Sequence, residues 1–305
     1  MKKQTLFFGL LALMGLFILT GCEEKEDDMK PVSEMSIAEY ASSDSNFSIL
    51  VAALVKADLA GVLSGSGNFT VFAPTNDAFN ALFSELGISG IDDLSKETLT
   101  PILKYHVLGT EAKSSMISSG YYNTLSPAQG SYISLKVDVS SGVKLNKTAN
   151  VIMADVDVNN GVIHVIDKVL LPPTVVGQAL NNDSFSILVQ AVVKANLVDA
   201  LNGNGPFTIF APTNAAFEAL FSTLGISGIS ELTAEQLTPI LTYHVVSGNV
   251  LSTQLSEGAV PTLNGESLSV SLSPAPEING TAKIVATDVQ ASNGVIHVID
   301  NVLLP

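Results

Sequence analysis

The sequence predicts an α+β fold built twice in tandem, and three observations predict it. A stretch recurs: Phe69 to Phe79 reads FTVFAPTNDAF and Phe207 to Phe217 reads FTIFAPTNAAF, with nine of eleven positions identical. The hydrophobic period changes from helical spacing in the first half of each copy to alternation in the second half. Finally, NGVIHVID stands unchanged at Asn160 to Asp167 and at Asn293 to Asp300. Asn-Gly between strand-like runs signals a hairpin whose turn positions need positive φ. At 305 residues the chain has room for about two domains of ordinary size. One module repeated, at 34–172 and 173–305, satisfies all of this.

Ahead of the modules, Lys2 and Lys3 precede an apolar run from Leu6 to Leu19, too short for a bilayer and of the length of a signal-peptide core. Leu19-Thr20-Gly21-Cys22 follows and resembles the lipobox of bacterial lipoproteins, which implies a leader over 1–21 and lipidation of Cys22. Cys22 is the only cysteine, so no internal disulfide can form and the modules must be held by their cores. Glu23, Glu24, Glu26, Asp27 and Asp28 make 22–33 a solvated tether. An acidic stretch there resembles the signal for display on the outer face of the outer membrane in some Gram-negative bacteria. The expected localisation is therefore the cell envelope, with the membrane engaged through lipid. A net charge of −15 argues against nucleic-acid partners.

In chain order, apolar spacing predicts short helices over Ser36 to Tyr40 and Ser45 to Leu54, the latter matched by Phe185, Leu188, Val189 and Val192. Ser45 and Asp183 are placed to cap them. The repeated strand then turns at Pro74, and Thr75 caps the helix carrying Phe79, Leu82 and Phe83. After a glycine turn, Ser95 and the Thr233–Gln236 capping box open a further helix. Pro101 and Pro239 predict a break or kink in it, with Thr100 or Thr238 restarting it. It ends in Tyr105-His106 and Tyr243-His244. Ile133, Leu135, Val137 and Val139 then alternate, as strands do. The spacing between copies falls from 138 to 133 across this half, so five residues are lost, three around 126–130 and about two near Ser141. With Pro173 following the first module at once, the two modules are expected to touch.

FTVFAPTNDAF, then Tyr-His, then NGVIHVID, in that order over each copy, resembles the fasciclin domain. The resemblance implies a β-sandwich or wedge with helices packed at one side, and a role in adhesion and binding rather than catalysis. It also implies a protein, matrix or glycan partner, with Tyr105, His106, Tyr243 and His244 as candidate adhesion contacts.

All four histidines fall in repeated motifs. A catalytic reading would combine His164 with Asp167, or His106 with Thr75. No Gly-x-Ser-x-Gly elbow accompanies them, and His164 alternates with Val and Ile as a core histidine would. The expected role of Thr75, Asn76, His164, Asp167, Thr213, Asn214, His297 and Asp300 is therefore structural. In particular, His106 or His164 is expected to bond the Thr75-Asn76 turn. Asp155, Asp157, Asn159 and Asn160 only loosely match a calcium loop, because Ile166 stands where a bidentate glutamate belongs. No cofactor, metal or catalytic residue is assigned. The sequence points to a non-enzymatic cell-surface adhesion module, the alternative being a structural or assembly component of the envelope.

Overall fold

The computed structural model describes residues 30–305, of which Pro31–Pro305 form one compact unit; the leader, Cys22 and the acidic run Glu23 to Asp28 lie outside the described residues. Among the described residues no helix is long and apolar enough to cross a membrane.

In module one, α1 (Ile37–Ser43) starts at Ser36 in a capping box with Glu39. It is followed by α2 (Ser48–Lys56) and α3 (Ala60–Ser64). The cap ahead of α2 is Asp44 rather than Ser45, and Asn182 replaces Asp183 in module two. A short 3-10 turn precedes each helix, so the capping side chain sits a residue earlier than the apolar pattern suggests. Strand β1 (Phe69–Pro74) leads through Thr75 into α4 (Asn76–Leu86), which closes on Gly87 in the left-handed region, φ 66°. Helix α5 (Lys96–Tyr105) runs unbroken through Pro101. This corrects the expected restart at Thr100: Pro101, mid-helix, gives up the bond to the Glu97 carbonyl, and buried Leu99 and Leu103 keep the helix packed in spite of that loss. The strands β2 (Val107–Leu108), β3 (Gly120–Ala128), β4 (Ser131–Asp138), β5 (Lys144–Leu145), β6 (Ala149–Val158) and β7 (Gly161–Ile166) follow.

The seven strands close as a barrel in sequence order, with β1 parallel to β7 from Phe69 opposite Gly161 to Pro74 opposite Ile166. Alternation along β1 then serves two cores. Val71 and Ala73 face the helices with Phe47, Phe79 and Leu103. Phe72 faces the interior of the sheet with Leu135, Leu145 and Ile166. The module is thus a sheet wrapped on its own core, with helices against one side.

Module two repeats the order with α6 (Val175–Leu180), α7 (Ser186–Lys194), α8 (Val198–Leu201), β8 (Phe207–Pro212), α9 (Asn214–Leu224) and α10 (Ala234–Tyr243). Its strands are β9 (Val245–Ser247), β10 (Gly258–Pro261), β11 (Ser267–Ser271), β12 (Glu277–Ile278), β13 (Ala282–Ala291) and β14 (Gly294–Ile299). The sheet order is β10-β11-β12-β13-β14-β8-β9, open between β9 and β10. Helix α10 likewise continues through Pro239 instead of restarting at Thr238.

The Asn-Gly hairpin is built otherwise than expected. Val158 pairs with Gly161, so Asn159 and Asn160 are the turn residues, and neither takes positive φ. Gly161 instead opens β7, where a Cβ would overlap the carbonyl oxygen of Phe69; Gly294 stands in the same relation to Phe207. The glycine serves the close parallel approach of β1 and β7, not the turn.

The five-residue difference also moves. Gly120 pairs with Val137 and Gly258 with Val270, so the whole loss falls in the β3–β4 hairpin and none near Ser141. The longer hairpin of module one is what meets module two. The Nε2 amide of buried Gln178 donates to the Ser134 carbonyl (2.6 Å) and to that of Gln290 (2.9 Å), while the Gln290 N–H donates to the Ser134 hydroxyl (3.0 Å). Asn182 donates to the Tyr121 hydroxyl (3.0 Å), Asn249 to the Gln129 carbonyl (2.7 Å), and Lys147 pairs with Asp183.

Candidate functional site

Tyr105 ends α5 and His106 caps it, so the helix terminus delivers both side chains into the module. The Tyr105 hydroxyl donates to the Ser134 carbonyl (3.0 Å) and accepts from Asn146 (2.9 Å). Burial pushes this phenol well above its usual range, against the pull of Asn146. His106 Nδ1 lies 2.8 Å from the Ile102 carbonyl, which can only accept, and Nε2 accepts from the Leu170 N–H at 2.9 Å. The ring is therefore the neutral Nδ1–H tautomer. Burial brings its pKa down to about 4, opposed by the bond to Ile102. His244 repeats this with Ile240 and Leu303 and is likewise lowered by burial to about 4.

Tyr105, His106, Tyr243 and His244 are only 0, 2, 5 and 2% exposed. This corrects their reading as adhesion contacts. The side chains turn inward because the helix end packs between the sheet interior and the closing segment at Leu170 or Leu303, and no partner can reach them on the folded surface.

His164, on β7, has the opposite tautomer. Its Nδ1 accepts from the Asp155 N–H (3.2 Å) and its Nε2 donates to the Ala112 carbonyl (2.9 Å), with the ring stacked on Phe72 at 5.6 Å. His297 does the same with Asp288 and Val250, its pKa lowered by burial against those two groups. Asp155 and Asp288 both sit at φ 60°, in the irregular stretch of β6 and of β13. The Asp155 carboxylate accepts from the N–H and hydroxyl of Ser114, as Asp288 does from Ser252. Burial raises the Asp155 pKa but the two Ser114 bonds outweigh it, leaving the group below the usual carboxylate range.

Asp167 accepts from the Asn150 backbone and side chain, both at 2.7 Å, and Asp300 from the Lys283 N–H at 2.7 Å. Thr75 and Thr213 cap α4 and α9 through Ala78 and Ala216. Asn76 accepts from the Ile49 N–H (3.0 Å) and donates to the Ser45 carbonyl (2.8 Å), and Asn214 does the same with Ile187 and Asp183. The expected bond from His106 or His164 to the Thr75-Asn76 turn is therefore not made. Every ring nitrogen is taken by backbone elsewhere, and the turn is tied to α2 instead. Neither His164 with Asp167 nor His106 with Thr75 forms a hydrogen-bonded pair.

Sequence reasoning passed over several members of this framework. Thr70 donates to the Thr110 carbonyl (2.7 Å) and accepts from the Ala112 N–H (2.8 Å), pinning the loop that His164 also holds. Buried Asn160 accepts from the Ile37 N–H (2.9 Å) and donates to the carbonyls of Leu63 (2.9 Å) and Gly65 (2.7 Å). Asn293 makes the same three bonds to Val175, Leu201 and Gly203. Thr70, Ser114, Asn146 and Asp155 each have an identical residue at the copy spacing, in Thr208, Ser252, Asn279 and Asp288. That recurrence was the available signal.

With this geometry the sequence comparison is decisive: the fasciclin domain family is matched over residues 45–172 and 183–305. The chain belongs to the fasciclin domain family. Among its fasciclin relatives, the Synechocystis protein sll1483 is 46% identical over 132 residues, covering 43% of this chain and 73% of that one. Human periostin is 30% identical over 254 residues, covering 80% of this chain and 29% of periostin. The pig transforming growth factor-beta-induced protein ig-h3 is 34% identical over 247 residues, covering 80% and 35%. The chain thus spans about a third of these two animal proteins. The FAS1 domain pair of the insect cell adhesion molecule Fasciclin I aligns with 88% of this chain and 96% of its own, with a TM-score of 0.48 and 21% identity.

Proposed function

We propose that the protein is a non-enzymatic adhesion or matrix-binding module held on the cell surface by lipid on Cys22, its partner a protein, matrix component or glycan. One observation carries this reading. In both copies the polar side chains common to the repeat are spent inside the scaffold: both nitrogens of all four histidines bond backbone groups. Recognition then falls to the exterior, as it does where a rigid framework presents variable surface. Family membership supports the same reading.

The test has two arms. Protease applied to intact cells should remove the wild-type protein from the envelope, and Cys22→Ser should release it into the medium. Beads carrying the protein should attach saturably to cells or matrix, and lose attachment when the protein is heat-unfolded. Attachment no greater than that of beads carrying an unrelated acidic lipoprotein would overturn the adhesive reading. Protection from protease in intact cells would favour the structural alternative.

A further inference from the structure

We infer that module two binds the end of an uncharged alkyl chain in an apolar pocket of about 130 Å³ between α6, α7, α8, β8 and α10. Every lining residue except His244 is aliphatic, among them Val175, Leu188, Val192, Leu201 and Ile296. His244 has both nitrogens engaged, by Ile240 and Leu303. No lining side chain is left to bond a polar group, so whatever enters must be apolar. Leu180 and Val193 line the same pocket while 53% and 56% exposed, and they form its mouth.

The other module shows that the fold does not require this space. At the corresponding positions Ile37 replaces Val175 and Leu54 replaces Val192, and the voids there are about 20 and 40 Å³. Tyr40 lines the first of these voids, whereas its counterpart Gln178 is drawn into the joint between modules. The size and lining choose the ligand. An apolar cavity of about 150 Å³ admits benzene, so this one accepts a fragment of about six carbons. With walls aliphatic apart from His244, no Phe, Tyr or Trp in the lining, and an open mouth, a chain end fits with its remainder in water. A net charge of −15 and the absence of lysine and arginine from the lining disfavour a carboxylate or phosphate headgroup.

Titrating 1-hexanol into the protein carrying labelled Ile, Leu and Val methyls tests this. Saturable shifts are expected at Val175, Val192, Leu201 and Ile296, with Leu54 unmoved. The double variant Val175→Ile/Val192→Leu, which copies module one, should weaken binding by about tenfold or more. Should that variant lose its native methyl dispersion, Val192→Leu alone serves with the same expectation. The inference is overturned if no shift saturates, if the filled variant binds as tightly as wild type, or if benzene saturates the pocket and hexanol does not.

Discussion

His106 and His244 are neutral in the fold and take up protons only when it opens. Their pKa of about 4 lies below the ordinary 6.5, so between these values the unfolded chain binds more protons and stability must fall as pH falls. The contribution is complete above about pH 6.5 and lost by about pH 4, on the order of 3 kcal/mol per ring at most. Urea midpoints measured across that window should drop, and His106→Asn with His244→Asn should flatten the curve. Asn160 makes a second residue-scale prediction. Asn160→Ala strands the Ile37 N–H and two carbonyls in a buried corner, and should cost about 2–3 kcal/mol in chemical denaturation. The sequence marked the histidines because the type is rare and repeated. It hid the direction of each ring, which depends on strands and loops brought together from 40 or more residues away, as Ala112 is to His164.

Elements were legible wherever a local rule decides. The Ser36 and Thr233 capping boxes, the Thr75 cap and the period-two strands all follow from neighbouring residues. The failures came where tertiary packing overrode the local signal. Pro101 is carried inside α5 by buried neighbours, and Gly161 answers to the backbone of β1 rather than to its own turn. The pocket under α7 is a third case, invisible in a pattern that records only that Val192 is apolar. At ~24 cal/mol per Å³, a 130 Å³ void costs on the order of 3 kcal/mol. Val192→Leu, which restores the side chain of module one, should raise stability by about 0.5–2 kcal/mol in urea unfolding. A decrease would show that α7 cannot accept the extra methylene.

On the scale of the whole molecule, the two modules share buried hydrogen bonds rather than a flexible link. Gln178→Ala removes donors to Ser134 and Gln290 together. Calorimetry should show one cooperative transition for wild type. The variant should melt a few degrees lower, about 2–4 °C per kcal/mol for a molecule of this size, and split into two transitions. A rigid pair also fixes the distance between any two binding surfaces, so gain from bivalency depends on whether a partner matches that span.

The lengthened β3–β4 hairpin bounds assembly as well. Head-to-tail contacts between like units grow into filaments when each unit carries both halves of the joint. Here most of the joint does not recur, although Ser134 has an identical counterpart in Ser267. Where module one offers Tyr121 and Lys147, module two has Ala259 and Gly280, and where module two offers Gln178 and Gln290, module one has Tyr40 and Asp157. Apart from Ser134, the groups named at the joint are absent from the matching face of the other module, so the joint forms between module one and module two and not between like modules.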